Sequence, residues 1–216
     1  MPRRPRKPYH HGDLRRALLD ASIAILEKSG PDALTLRAAA RKAGVSHTAP
    51  YRHFADKSDL LAAIAEEGFL ALQKAMHAAA AKGKNAIDAL ERSGVAYVAL
   101  ALEHPAHCSV MFGRDAADLR RATDASPQVV ASHTAGHAAF AGLVQLIEQA
   151  QRDGFIRKGD PHEFAYVAWS TVHGIATLAM TRMLDGEDEQ PWDVPTTLAF
   201  TKRALETLSR GFAPAG

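Results

Sequence analysis

The stretch from Thr35 to Leu61, TLRAAARKAGVSHTAPYRHFADKSDLL, leaves the chain few ways to fold. Three helix starts are written into it. Thr35, Ser46 and Asp56 each carry a short oxygen-bearing side chain suited to the free N–H groups of a first helical turn. Gly44 lies between the first two starts, and glycine favours the left-handed exit that ends a helix and turns the chain. Leu36, Ala39, Ala40 and Ala43 on the first helix, Val45 in the turn, and Ala49 and Phe54 on the second supply the small or apolar surface of a close crossing. The pattern predicts a helix ending at Gly44, a second from Ser46 to near Phe54, and a long third from Asp56 to about Ala81.

A helix braced at a fixed angle by its neighbour can enter a DNA major groove and present its first two turns to base edges. At those positions stand His47, Thr48, Ala49, Pro50, Tyr51, Arg52 and His53. His47, Thr48 and Arg52 are the candidates for base readout. Tyr51 and His53 are expected near phosphates. Thr35 offers a hydroxyl at one helix start. Lys57 adds a cation at another, where backbone N–H groups also suit a phosphate. Pro50 falls in the first turn, where its missing N–H is tolerated, and offers an apolar face to a thymine methyl.

Charge agrees with this placement. Residues 1–60 hold twelve Lys and Arg against six Asp and Glu, while the remainder is net acidic. A basic head on an acidic body points to a polyanionic partner for the head alone. Residues 1–11 read as a flexible basic arm. Its Arg3, Arg4, Arg6 and Lys7 either lie in an adjacent minor groove or are plain solvated charge.

The rest of the chain reads as helices separated by Gly and Pro. Helices are expected at 86–103, around 108–112, from Gln128 to Asp153, from Pro161 to about Leu184, and from Thr196 to Arg210. Residues 113–127 and 185–191 read as loops. No alternating strand pattern persists, so the fold class is all-α: a three-helix head joined by a long fourth helix to a larger helical body. No run of eighteen apolar residues occurs, and the N-terminus lacks the apolar centre of a secretory signal. The single cysteine, Cys108, has no partner for an internal disulfide, which fits a cytoplasmic setting.

Residues 10–70 resemble the DNA-binding domain of the TetR family of bacterial transcriptional regulators. The matching pieces are Thr35-Leu36-Arg37, Ala43-Gly44-Val45-Ser46, and Tyr51-Arg52-His53-Phe54 followed by Lys57 and Leu60-Leu61. Ala40 departs from the bulkier aliphatic common in the family. The resemblance implies a helix-turn-helix domain over 12–72, with its motif at about 35–54, and a ligand-binding and dimerisation domain over 73–216. It adds Arg37, Ser46 and Ala49 to the expected DNA-binding set. It also implies a homodimer on a palindromic operator, released by a small molecule, and no enzymatic activity.

The C-terminal part is similar to a subgroup marked by Trp, His and Gly on one helix, here Trp169, His173 and Gly174. His104-Pro105 through Met111-Phe112-Gly113 also fits that subgroup. Trp169 and His173 are four apart, as are His133 and His137, so each pair shares a helix face. An apolar effector pocket is expected among Tyr97, Met111, Phe112, His133, His137, Phe140, Leu143, Trp169 and His173, although such side chains also serve simply to fill a core. No cofactor motif is present, and no HExxH spacing surrounds His133. A haem- or metal-responsive regulator using His133, His137 or His173, and a constitutive DNA-binding protein without effector, are the alternatives. The last two helices are expected to form the dimer through Val172, Ile175, Ala179, Met183, Leu198, Leu205, Leu208 and Phe212.

Overall fold

A computed structural model of the protein describes residues 14–113, 125–184 and 190–214. The basic arm lies outside these residues, as do most of the two expected loops. The described chain is all-helical, as the pattern required. In order it holds α1 (Leu14–Ser29), α2 (Leu36–Ala43), α3 (Lys57–Ala80), α4 (Ala86–Glu103), α5 (Pro105–Phe112), α6 (Pro127–Arg152), α7 (Pro161–Met180) and α8 (Val194–Phe212). Single 3-10 turns at Pro31–Ala33 and Ala49–Arg52 flank α2.

Two of the three nominated caps, Thr35 and Asp56, hold. Thr35 accepts from Ala38 N–H at 3.0 Å and Asp56 from Asp59 N–H at 3.0 Å. Asp59 in turn accepts from Ala55 N–H at 3.0 Å, so two free donors at the head of α3 are satisfied reciprocally. Asn85, Ser126, Asp160 and Asp193 cap α4, α6, α7 and α8 in the same manner. Gly30 and Gly44 take left-handed φ values of 74° and 73°, one before α2 and one after it, and turn the chain at both places.

The expected recognition helix is corrected. A helix capped at Ser46 would make its first backbone bond from residue 50 to the Ser46 carbonyl, and Pro50 has no N–H to give. The chain closes instead through Ala49 N–H to the Ser46 carbonyl at 3.0 Å, then forms one 3-10 turn over Ala49–Arg52. Ser46 therefore caps nothing, and its hydroxyl lies 3.2 Å from that of Thr48. A second correction concerns α7, which ends at Met180 rather than near Leu184. Arg182 adopts a left-handed φ of 57°, and Met183 N–H reaches back to the Leu178 carbonyl at 2.8 Å. This is a C-terminal wrap of the Schellman type built without glycine.

α3 is the axis of the molecule. Its 24 residues span about 36 Å at the usual helical rise. The N-terminal half closes the head, burying Leu60 and Ile64 against Leu18, Leu34 and Phe54. The C-terminal half packs against α4, α5 and α6. The same apolar cluster runs on without a break from Leu18 in the head to Val172 and Leu205 in the body. A second cluster around Ile147, Ile156, Phe164 and Phe212 closes the far end.

Candidate nucleic-acid interface and internal cavity

The head gathers most of the nominated polar side chains on its open surface. Thr35, Arg37, Ser46, His47, Thr48, Tyr51, Arg52 and His53 are all exposed, with Tyr51 54% open. Ala49 is half-buried. Pro50 is buried, so its ring braces the turn from within and is not offered to a base. Lys57 sits at the first position of α3, and its ammonium donates to the Pro31 carbonyl at 2.9 Å. That bond ties the 3-10 turn before α2 to the start of α3. Arg41 and Lys42 in the last turn of α2 are both exposed, and sequence reasoning passed over both. Their position beside Gly44 was the signal available.

The body encloses a cavity of about 640 Å³ walled by α3 to α8. All nine side chains nominated for a pocket line it: Tyr97, Met111, Phe112, His133, His137, Phe140, Leu143, Trp169 and His173. They come together because α4 and α7 lie side by side and α5 and α6 close over them. Phe69, Phe112, Trp169, Phe140 and Tyr166 form a continuous aromatic wall, with successive ring centroids 5.5, 6.0, 6.0 and 4.8 Å apart.

Polar order in this wall centres on Tyr97, which is 3% exposed. The Trp169 indole N–H donates to the Tyr97 oxygen at 3.3 Å, and that oxygen lies 2.9 Å from His173 Nδ1. An indole can only donate, so the tyrosine oxygen accepts there and its own O–H is left to give to Nδ1, the assignment adopted for this pair. His173 is then a neutral ring with its proton on Nε2. Burial pushes its pKa below the ordinary 6.5 in the same direction, and burial raises that of Tyr97. Burial also pushes the Cys108 thiol up to about 11, which leaves it protonated and a poor nucleophile. Two buried polar atoms in the cavity wall, Ser93 Oγ and His133 Nε2, have no hydrogen-bond partner among the described residues. Ser93 escaped the sequence reading, although it stands four residues before Tyr97 and so shares its helix face. Among the described residues no three His, Cys, Asp or Glu side chains converge as a metal-holding group.

The expected dimer set is corrected by burial. Val172, Ile175, Leu205 and Phe212 are 3 to 7% exposed within the single chain. Val172, Leu205, Leu208 and Phe212 line the cavity instead. Leu198 and Leu208 are half-buried against the core, and Ala179 is half-buried. Met183 lies beyond the end of α7 and is 68% exposed. The outer stripe of α7 is a different set: Val167 and Leu178 are exposed, and Gly174 between them has open space where a side chain would stand.

Head and body are joined by specific contacts. Arg16 of α1 pairs with Glu67 of α3. Arg15 donates to Gln128 at 3.0 Å, Gln128 donates to Glu66 at 2.5 Å, and Ser126 donates to Asp59. The start of α6 is thereby fixed to the head-proximal half of α3. Met111 of the cavity wall rests on Gly68 of α3, where a β-carbon would collide with its sulfur.

Comparison with known proteins places both halves. The family model for bacterial regulatory proteins, tetR family, matches residues 18–64. The model for the tetracyclin repressor-like C-terminal domain matches residues 90–201. No curated protein matches the chain. A solved structure of a protein with unknown function from Rhodococcus sp. RHA1 is 41% identical, with a TM-score of 0.78, covering 97% of this chain and 100% of that one. A regulatory protein in the tetR family from Rhodococcus RHA1 is 22% identical, with a TM-score of 0.70, covering 93% and 97%. The regulator FadR from Bacillus subtilis, solved in complex with stearoyl-CoA, is 17% identical with a TM-score of 0.71, covering 91% and 98%. The last two share the fold.

Proposed function

Because the chain belongs to the tetR family of bacterial regulatory proteins, we propose that this DNA-binding transcriptional regulator is a homodimeric repressor, freed from a palindromic operator by an apolar effector held in the cavity. One observation carries the reading. A single helix, α3, begins at the exposed face of the head with Lys57 and supplies Ala65, Phe69, Leu72 and Met76 to the cavity wall. A ligand that fits one pose of α3 better than another shifts the population of head positions by its difference in affinity for the two.

In this reading His47, Thr48 and Arg52 meet base edges, while Thr35, Arg37, Ser46, Tyr51, His53 and Lys57 hold the backbone, with the buried Pro50 stiffening the turn. One 3-10 turn offers few base-reading side chains, so selectivity rests heavily on the separation of two heads by about 34 Å or a multiple of it. The dimer forms through the outer stripe of α7, Val167, Gly174 and Leu178, with Met183 beside it. Division of labour falls near residue 72, inside α3. The Trp169-His173-Gly174 triplet is read as the mark of its subgroup, and in this chain the tryptophan and histidine both bond the cavity tyrosine. The protein acts by binding, in the compartment that holds the DNA, the cytoplasm.

The test is selection of bound DNA from a random pool, followed by a screen of apolar compounds for release. A two-fold symmetric winning site, bound by one dimer and released by a compound that also raises the melting temperature, is the expected result. Recovery of no preferred sequence, or binding of one chain per site, would sink the proposal.

A further inference from the structure

The cavity wall carries more chemistry than a filled core requires. Ser93 is fully buried on α4, lines the cavity, and its hydroxyl has no partner among the described residues. His133 on α6 lines the same space with Nε2 buried and unpaired. A buried hydroxyl or ring nitrogen left unpaired is destabilising, and most such groups in folded proteins find a partner. His173 adds a third polar atom, since its Nδ1 is engaged by Tyr97 and its proton lies on Nε2, which meets no acceptor among the described residues. These groups can donate or accept a hydrogen bond.

Charge in the wall is as informative. Among the described residues no Lys or Arg lines the cavity, and Glu91 is the one acidic residue in its wall. A carboxylate or phosphate brought inside would be desolvated with no cation to meet it and would face Glu91. Glu91 is only half-buried, so water already serves it and it makes no strong demand for a cationic ligand. The long wall from Phe69 to Tyr166 is a row of ring faces and edges, which favours a flat partner.

We infer that the cavity takes an uncharged, ring-bearing apolar compound with a hydroxyl or carbonyl oxygen, anchored through Ser93 and His133 and stacked along the aromatic wall. This rests on reading the cavity as the effector site and narrows what that site accepts.

Equilibrium dialysis of the full chain at pH 7.5 against four compounds of one shape separates the possibilities: 4-phenylphenol, biphenyl, biphenyl-4-carboxylate and 4-phenylbenzylammonium. The expected order has 4-phenylphenol binding at least tenfold tighter than either ion and several-fold tighter than biphenyl. Ser93→Ala, a substitution that removes only the unpaired hydroxyl, should bring 4-phenylphenol within threefold of biphenyl and leave biphenyl unchanged. Tighter binding of the carboxylate or the ammonium overturns the uncharged assignment while leaving the effector cavity intact. Equal binding of phenol and hydrocarbon in the parent chain, or an undiminished preference in Ser93→Ala, overturns the polar anchor. Binding of none of the four overturns the inference together with the effector reading on which it rests.

Discussion

Tyr97→Phe removes one oxygen from the centre of the cavity wall, and two groups lose their partner with it. Tyr97 accepts from Trp169 and donates to His173, so the variant leaves one indole N–H and one ring nitrogen without that bond. A buried group stripped of its hydrogen bond costs about 1–3 kcal/mol. Trp169 and His173 are half-buried, and the adjoining cavity admits water to both, which places the net loss near the low end, about 1–2 kcal/mol. A domain of this length loses about 2–4 °C of melting temperature per kcal/mol, so the variant should melt roughly 2–8 °C lower. Urea unfolding should show the loss as a shifted midpoint with an unchanged slope, since no surface is newly exposed. A second readout separates this account from a general packing defect. Burial still holds the His173 pKa below 6.5 in the variant, and loss of a hydrogen bond given to the neutral ring should raise it from its value in the parent chain, followed by NMR through the ring protons. An unchanged or increased midpoint, or a His173 pKa that falls further, would refute the hydrogen-bond assignment.

Backbone strain, solvent titration and DNA binding each offer a further check. Gly44→Ala should destabilise by about 1–2 kcal/mol in thermal melts, because φ is 73° with open space around it, so backbone strain is the whole effect. Arg182→Gly should stabilise by about 1 kcal/mol, by relieving the left-handed φ of 57° without loss of the wrap that ends α7. Burial holds His107 and His173 below the ordinary 6.5, so the unfolded chain takes up protons first. Stability in denaturant should therefore be full above pH 6.5, fall as the pH drops through that value, and level off beneath the folded pKa values. Tyr51→Ala should weaken binding to every operator alike, whereas His47→Ala and Thr48→Ala should change the preferred sequence in a binding selection.

Much of this architecture is legible in the sequence because helix ends are local chemistry. A cap, a proline or a glycine acts within one turn, and Thr35, Gly44, Asp56 and Asp160 announce themselves without any tertiary partner. The cavity was legible for a related reason, since helical period brings Trp169 and His173 to one face. Two kinds of feature were not. Ser46 to Phe54 reads as a helix because its cap signals are local, whereas one missing donor at Pro50 decides between an α-helix and a 3-10 turn. Four residues of the expected dimer set turned out to be buried within the chain, because an apolar stripe on α7 and α8 states only that something covers it. Val172 and Leu205 are covered by the chain itself, and only the packing of α4 against both helices decides that. Ser93 was passed over because a lone serine in a helix draws no notice until its surroundings leave it unpaired.

The unbroken apolar cluster from Leu18 to Leu205 has a consequence for how such chains can be recombined. A head moved onto another body must bring with it the surface that meets α5 and the start of α6, including Gly68 and the glutamates at 66 and 67. A junction cut at the edge of the helix-turn-helix motif would graft the operator preference while stranding half a core. Lineages that exchange DNA specificity are therefore expected to do so by changing a handful of surface residues in place, with the head and its effector chamber inherited together as one piece.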